Sequence, residues 1–137
     1  MRKTTEFELV APEELLLSEL VELVVVPGAE GDFGVLPGHS PLISTLRTGV
    51  ITVYEKNEVK NRLFVSGGFV EVTPERCTVL ADEAVSIETA NRRDVENRVH
   101  ASQEVFDAAG EDEKDDAAEA LRISKALLAV LDTAGQA

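Results

Sequence analysis

A change of period divides this chain. Up to about Ile87 the apolar residues come in short runs with every second position alike, whereas from Asn91 they recur at spacings of three and four. The segments TEFELVA, EELLLSE, ELVVV, GVITVYE, RLFVSG, FVEVT and CTVLA are rich in β-branched residues and separated by Gly, Pro, Asn or Asp. Seven or more such strands predict a sandwich or a flattened barrel. In FVEVT, Phe69 and Glu71 point one way while Val70 and Val72 point the other. In GVITVYE, Val50, Thr52 and Tyr54 oppose Ile51 and Val53. One face of such a sheet meets water or a partner. YEKNEVKN, Tyr54 to Asn61, reads as a polar hairpin turn centred on Asn57, and Gly67 with Gly68 as a bend or bulge where another backbone comes close.

Beyond the switch the pattern is helical. Asn91 followed by Asp94 reads as an N-cap with an acidic residue in the first turn, and Val95, Val99 and Phe106 share one side of a helix expected from Asn91 to Ala108. Gly110 interrupts it. The acidic cluster EDEKDD, Glu111 to Asp116, opens a second periodic segment, where carboxylates favour a helix N-terminus. Its stripe is Ala117, Leu121, Leu128 and Leu131, widened by Ala120, Leu127 and Val130. Two helices with a short connection pack as an antiparallel hairpin. The expected division is a β domain over residues 1–88 and a two-helix hairpin over 89–137.

Charge narrows the partners. Thirteen Lys and Arg against 26 Asp and Glu leave a net charge of -13 over 137 residues. Such a surface repels phosphate backbones and anionic lipid headgroups, so neither nucleic acid nor direct lipid insertion is expected. With no Trp, one Tyr and five Phe, the core must be aliphatic. The longest uninterrupted apolar run, Ala126 to Leu131, is far short of the ~20 residues that cross a bilayer, and the start MRKTTEFELV lacks the apolar stretch of a signal peptide. A cytoplasmic protein is expected. Cys77 is the single cysteine, so no intramolecular disulfide forms. Alternation puts it beside Val79 and Ala81 on one face, as a small core residue.

The candidate chemistry is sparse. Gly28, Gly31 and Gly34 in GAEGDFG lack the lysine and hydroxyl pair of a Walker loop and the spacing of a dinucleotide fingerprint. His39 and Ser40 are adjacent, and neighbours on an extended chain point apart, which is no arrangement for a nucleophile and its base. The other histidine, His100, falls in the helical part. One Cys and two scattered His have no zinc spacing, and the acidic cluster has no EF-hand pattern, so no metal and no cofactor is expected. Asp82 and Glu83 are sequence neighbours at a strand end and diverge. The chain carries no self-contained active site and is expected not to be an enzyme.

Three motifs in order, VVVPGAEGDFGVLPGHSPLISTLRTGVITV, then VSGGFVEVTPERCTVLADEAVSI, then a two-helix tail, resemble the epsilon subunit of F-type ATP synthases, the counterpart of the mitochondrial delta subunit. The resemblance spans nearly the whole chain. It implies an antiparallel β-sandwich of about ten strands followed by an α-helical hairpin. It also implies a non-catalytic rotor subunit at the cytoplasmic face of the bacterial inner membrane. In that family the sandwich binds the gamma subunit and rests on the ring of c subunits, coupling proton flow to ATP synthesis. Carried over residue by residue, Glu30, Asp32 and His39 are the expected contacts to the c-ring.

The hairpin departs from the family. In some bacterial relatives it binds ATP through Ile, Asp, two residues, Arg, Ala, and meets the alpha and beta subunits to inhibit hydrolysis. Here the run is IETANR: Ile87 and Glu88 stand for Ile and Asp, and Asn91 stands where Arg should. Arg92 is displaced by one position, about 100° around a helix, so the motif is degenerate. The second helix offers only Arg122 and Lys125 after its acidic start. Weak or absent inhibition is expected. The competing expectation is a free-standing β-sandwich binding or sensor module with a helical lid.

Overall fold

The computed structural model describes residues 4–12 and 14–134. Met1 to Lys3, where the sequence was read for a leader, lie outside them. Among the described residues there are eight strands and two helices. The strands are β1 (Thr5–Ala11), β2 (Glu14–Val21), β3 (Leu23–Gly28), β4 (Gly31–Val35), β5 (Leu42–Glu55), β6 (Glu58–Val72), β7 (Arg76–Ala81) and β8 (Ala84–Ser86). The helices are α1 (Arg92–Ala108) and α2 (Lys114–Ala134). The chain divides into two compact units, Met1–Glu88 and Thr89–Ala137.

The strands run in the order β2-β1-β7-β6-β5-β3-β4, with β8 against β6. All pairs are antiparallel except β1 with β7. The sheet doubles over because β5 and β6 are long and bent. The Gly68–Val72 half of β6 pairs β7, and its Leu63–Val65 part pairs β8. Inward positions change parity across the bend: Leu46, Val70 and Val72 are buried on one side of it, Ile51, Val53 and Val65 on the other. Both halves therefore face one core, which includes Phe7, Leu9, Val24, Val26, Val35, Cys77 and Val79.

Gly68 makes the bend possible. Its φ is +121°, and a Cβ there would lie 2.0 Å from the Leu80 carbonyl oxygen. No other residue fits that approach of β7. The chain stays hydrogen-bonded through Gly67 and Gly68, so RLFVSG and FVEVT are one strand rather than two. The same continuity in β5 accounts for eight strands where about ten were expected. GDFGV, not among the strands expected from sequence, is strand β4, with Val35 fully buried and Phe33 packed on the core. The Asn57 turn is as expected: Lys56 and Asn57 both have positive φ, 55° and 64°, the signature of a two-residue hairpin turn whose twist matches the strands.

In the helical unit, the Asn91 side chain accepts from the Asp94 backbone N–H at 3.1 Å and caps α1. The buried stripe of α2 is Ala117, Leu121, Ser124 and Leu127. It differs from the expected one: Ala120 is exposed, Leu128, Val130 and Leu131 are only half-buried, and Ser124 is buried among the stripe. The 3.6-residue period carries the seam through position 124, but a serine there is invisible to a search for apolar residues. Its hydroxyl donates to Ala120 O (3.0 Å), shares a hydrogen bond with Ser102 Oγ (2.9 Å) and accepts from Arg98 Nε (3.2 Å). At the helix connection Lys114 Nζ lies 4.7 Å from the Phe106 ring centroid.

Candidate functional site

The β3–β4 hairpin ends in a tip, Ala29 and Glu30, held between the paired glycines Gly28 and Gly31. A Cβ on Gly28 would meet Phe33 Cε1 at 2.8 Å and Gly31 O at 2.9 Å, so the turn closes only around glycine. The tip is tied to the sandwich: Ala29 N–H donates to Thr45 O at 2.9 Å, and Arg47 Nη1 donates to Gly28 O at 2.6 Å. Arg47 also forms an ion pair with Asp32. Glu30 is exposed and has no ion-pair partner among the described residues.

Beside the tip lies an open cleft of about 540 Å³ shared by the hairpin and the start of β5. Glu30 and Asp32 line it from one side, Leu42 and Ile43 from the other. Ile43 is 71% exposed. The cleft thus sets carboxylates against apolar side chains on backbone fixed by strand pairing.

The structure brings Glu30 and Asp32 together and leaves His39 outside the cleft lining. His39 is half-buried in the β4–β5 connection. Its Nδ1 is 2.6 Å from Ser40 O and its N–H donates to Leu36 O at 3.1 Å. Gly38 N–H donates to Pro74 O at 2.9 Å, fastening the loop to the β6–β7 turn. The His39 ring is thus bonded to the backbone carbonyl of its own neighbour, not to the Ser40 hydroxyl.

A second feature is an apolar row on the outer sheet face. Phe69 on β6 pairs with Leu80 on β7, which pairs with Val10 on β1, which pairs with Leu15 on β2. Phe69, Leu80 and Leu15 are each at least half exposed, and Val10, Phe69 and Leu80 line a second, smaller hollow. The row is continuous across four neighbouring strands.

The degenerate nucleotide motif is occupied internally. Ile87 is buried. The Glu88 carboxylate accepts from Arg62 N at 2.8 Å and Arg62 Nε at 2.9 Å. Arg92 pairs with Asp132 and lies 3.8 Å from Glu96; the Asp132 hydrogen bond first, then its charge, raises the guanidinium pKa. Arg122 is engaged by Glu119 one turn away on its own helix, Nε to Oε2 at 3.0 Å. Among the described residues no His, Cys, Asp and Glu cluster is placed to hold a metal ion. No helix among them is long and apolar enough to cross a membrane.

Sequence reading missed Arg47, Leu42 and Ile43. The two leucine and isoleucine positions sit in PLIS, where an exposed apolar pair breaks the inward-outward alternation, and that break was the available signal. Arg47 gave none, because its partners lie 15 and 19 residues away.

Comparison with known proteins agrees with this architecture. Residues 4–87 match the family model for the ATP synthase Delta/Epsilon chain beta-sandwich domain. The chain is 54% identical to the ATP synthase epsilon chain of Rhodospirillum rubrum over 130 residues, covering 94% of this chain and 97% of that one. It is 43% identical to the epsilon chain of Paramagnetospirillum magneticum over 132 residues, 96% and 99% of the two lengths. Among solved structures, a chain of the Euglena gracilis mitochondrial ATP synthase, an OSCP/F1/c-ring assembly, shares the fold. Its TM-score is 0.77 at 24% identity, over 96% of this chain and 83% of that one. Strand content, sandwich match and kinship along nearly the full length converge, and this chain belongs to the ATP synthase epsilon chain family.

Proposed function

We propose that the chain is a non-catalytic rotor subunit of a proton-translocating F-type ATP synthase, linking the gamma subunit to the c-ring. The observation that carries this reading is the 54% identity to an epsilon chain across 94% of the sequence. Residues 1–88 act as the stalk-binding sandwich. The cleft with Glu30 and Asp32 takes the polar loops of the c-ring, with His39 on the adjoining loop as a third contact. The apolar row of Phe69, Leu80, Val10 and Leu15 suits the gamma subunit. The subunit works at the cytoplasmic face of the bacterial inner membrane, held there by its protein partners. Its contribution to catalysis is mechanical: strand-anchored contacts pass rotation between ring and stalk without bond chemistry of their own.

Residues 89–137 act as a hairpin with weak or no inhibitory force on ATP hydrolysis. Its contacts to the alpha and beta subunits are limited by charge, since Arg122 is already neutralised by Glu119 and the helix begins with acidic residues. No nucleotide is bound at Ile87, Glu88 and Arg92, whose charged groups serve Arg62 and Asp132.

The test titrates two chains, the full length and one ending at Ala90, into a bacterial ATPase core depleted of this subunit, recording binding and hydrolysis together. Equal affinity with unchanged hydrolysis is expected. Absence of binding by either chain overturns the rotor reading, and inhibition by the full chain alone overturns the account of the hairpin.

A further inference from the structure

The acidic tip holds two carboxylates, and the geometry around Arg47 treats them differently. Strand β3 lies between β5 and β4, and Arg47 belongs to β5 while Asp32 belongs to β4. The guanidinium reaches Gly28 O on β3 and the Asp32 carboxylate on β4. Pro27, the preceding residue, has no N–H to give to the ladder. The β3–β5 register shifts between Val25 and Gly28, so the regular ladder is lost there. Arg47 Nη1 donates to Gly28 O, 2.6 Å away, and Nη2 pairs with Asp32. One planar fork therefore ties three strands together at the base of the tip. The Asp32 charge is compensated within the chain, while Glu30 has no ion-pair partner among the described residues.

We propose that Arg47 is a positioning residue for this tip: it clamps Asp32 and Gly28 so that Glu30 is the carboxylate presented to the c-ring. The inference rests on the c-ring reading given above. Arg47 acts through the hairpin and by cancelling one of its two charges. Removing the arginine has two consequences. The tip loses a tether, and Asp32 becomes a second free negative charge, which a basic ligand loop feels more at low salt than at high salt.

The experiment uses the full chain and titrates it into purified gamma subunit, alone and bound to detergent-solubilised c-ring, at low and high salt. The gain in affinity due to the ring is the readout, and a thermal melt of each variant checks folding. Wild type is expected to bind the complex more tightly than gamma alone, with the gain falling as salt rises. Glu30→Gln should flatten that salt dependence. Arg47→Met should weaken the gain about threefold to fivefold at high salt and less at low salt, so its salt dependence steepens. A purely structural role for Arg47 would weaken binding equally at both. Asp32→Asn added to Arg47→Met should remove the steepening. Arg47→Lys, which keeps the charge but reaches only one acceptor, should fall between wild type and Arg47→Met, and it carries the test if the methionine variant does not fold.

If wild type gains nothing from the ring, the c-ring reading fails and the inference with it. If wild type gains but Asp32→Asn rather than Glu30→Gln flattens the salt dependence, the assignment of the free carboxylate is wrong and the reading survives. A parallel loss at both salts for Arg47→Met and Arg47→Lys overturns the positioning role.

Discussion

Cys77 lies on β7 with Val79 and Ala81, all three turned into the sandwich core. Burial pushes its thiol from 9.0 up to about 12, because the thiolate would be stranded without water. The neutral thiol is thus the form the fold holds. Its folded pKa is raised, so its contribution to stability is complete below pH 9.0 and is lost as pH climbs towards 12. In that window the unfolded chain releases a proton that the folded chain keeps, at about 1.4 kcal/mol per pH unit. Wild type should therefore lose stability between pH 9 and 12 more steeply than Cys77→Ala, measured by urea unfolding at a series of pH values. Parallel curves for the two proteins would mean that the thiol is reachable by solvent in the folded state. Cys77 also shows what a sequence reveals about single residues. Alternation along RCTVLA fixed its direction, and the structure agrees. Arg47 was silent for the opposite reason: its role depends on Gly28 and Asp32, brought beside it by two strand pairings that no local pattern encodes.

Elements were legible where their period was uniform and obscure where one side chain broke it. Strand faces in β6 and β7 and the Asn91 cap followed from spacing alone. β4 did not, because glycines at 31 and 34 disguised five residues that pair along β3. Ser124 escapes an apolar search of the hairpin seam for a related reason, since it is polar yet buried between the helices. A buried hydroxyl must be hydrogen-bonded, and Ser124 meets this with Ala120, Ser102 and Arg98. The helix pair is consequently joined by a polar knot where an apolar contact would otherwise stand, which favours one register over its neighbours. Ser124→Ala removes the hydroxyl from this knot and should destabilise the hairpin by about 1–2 kcal/mol. Amide exchange in α1 and α2 should accelerate accordingly while that of the strands stays unchanged. Ser124→Ala combined with Ser102→Ala should cost less than the sum of the single changes, because both remove the same bond. An additive result would show that the two hydroxyls do not share a hydrogen bond in solution.

At the scale of the molecule the question is which part stands alone. The hydrophobic core cluster draws only on residues from Phe7 to Ala84, every one of them in the strand-bearing unit. A domain with its own core folds without its neighbour. The helical unit is less well provided. Its buried apolar side chains are Val95, Ala117, Leu121 and Leu127, with Ser124 among them, and helices of 17 and 21 residues draw most of their stability from packing rather than propensity. A fragment ending at Ala90 should therefore keep a cooperative unfolding transition, a strand-type circular dichroism spectrum and a Cys77 thiol closed to modification until it unfolds. A fragment from Thr89 onward should lose most of its helicity in dilute buffer. The fragment ending at Ala90 also decides how the binding titration is read: once it folds alone, equal affinity for the ATPase core places the grip in the sandwich. If it is unfolded, the independence of the strand-bearing unit fails.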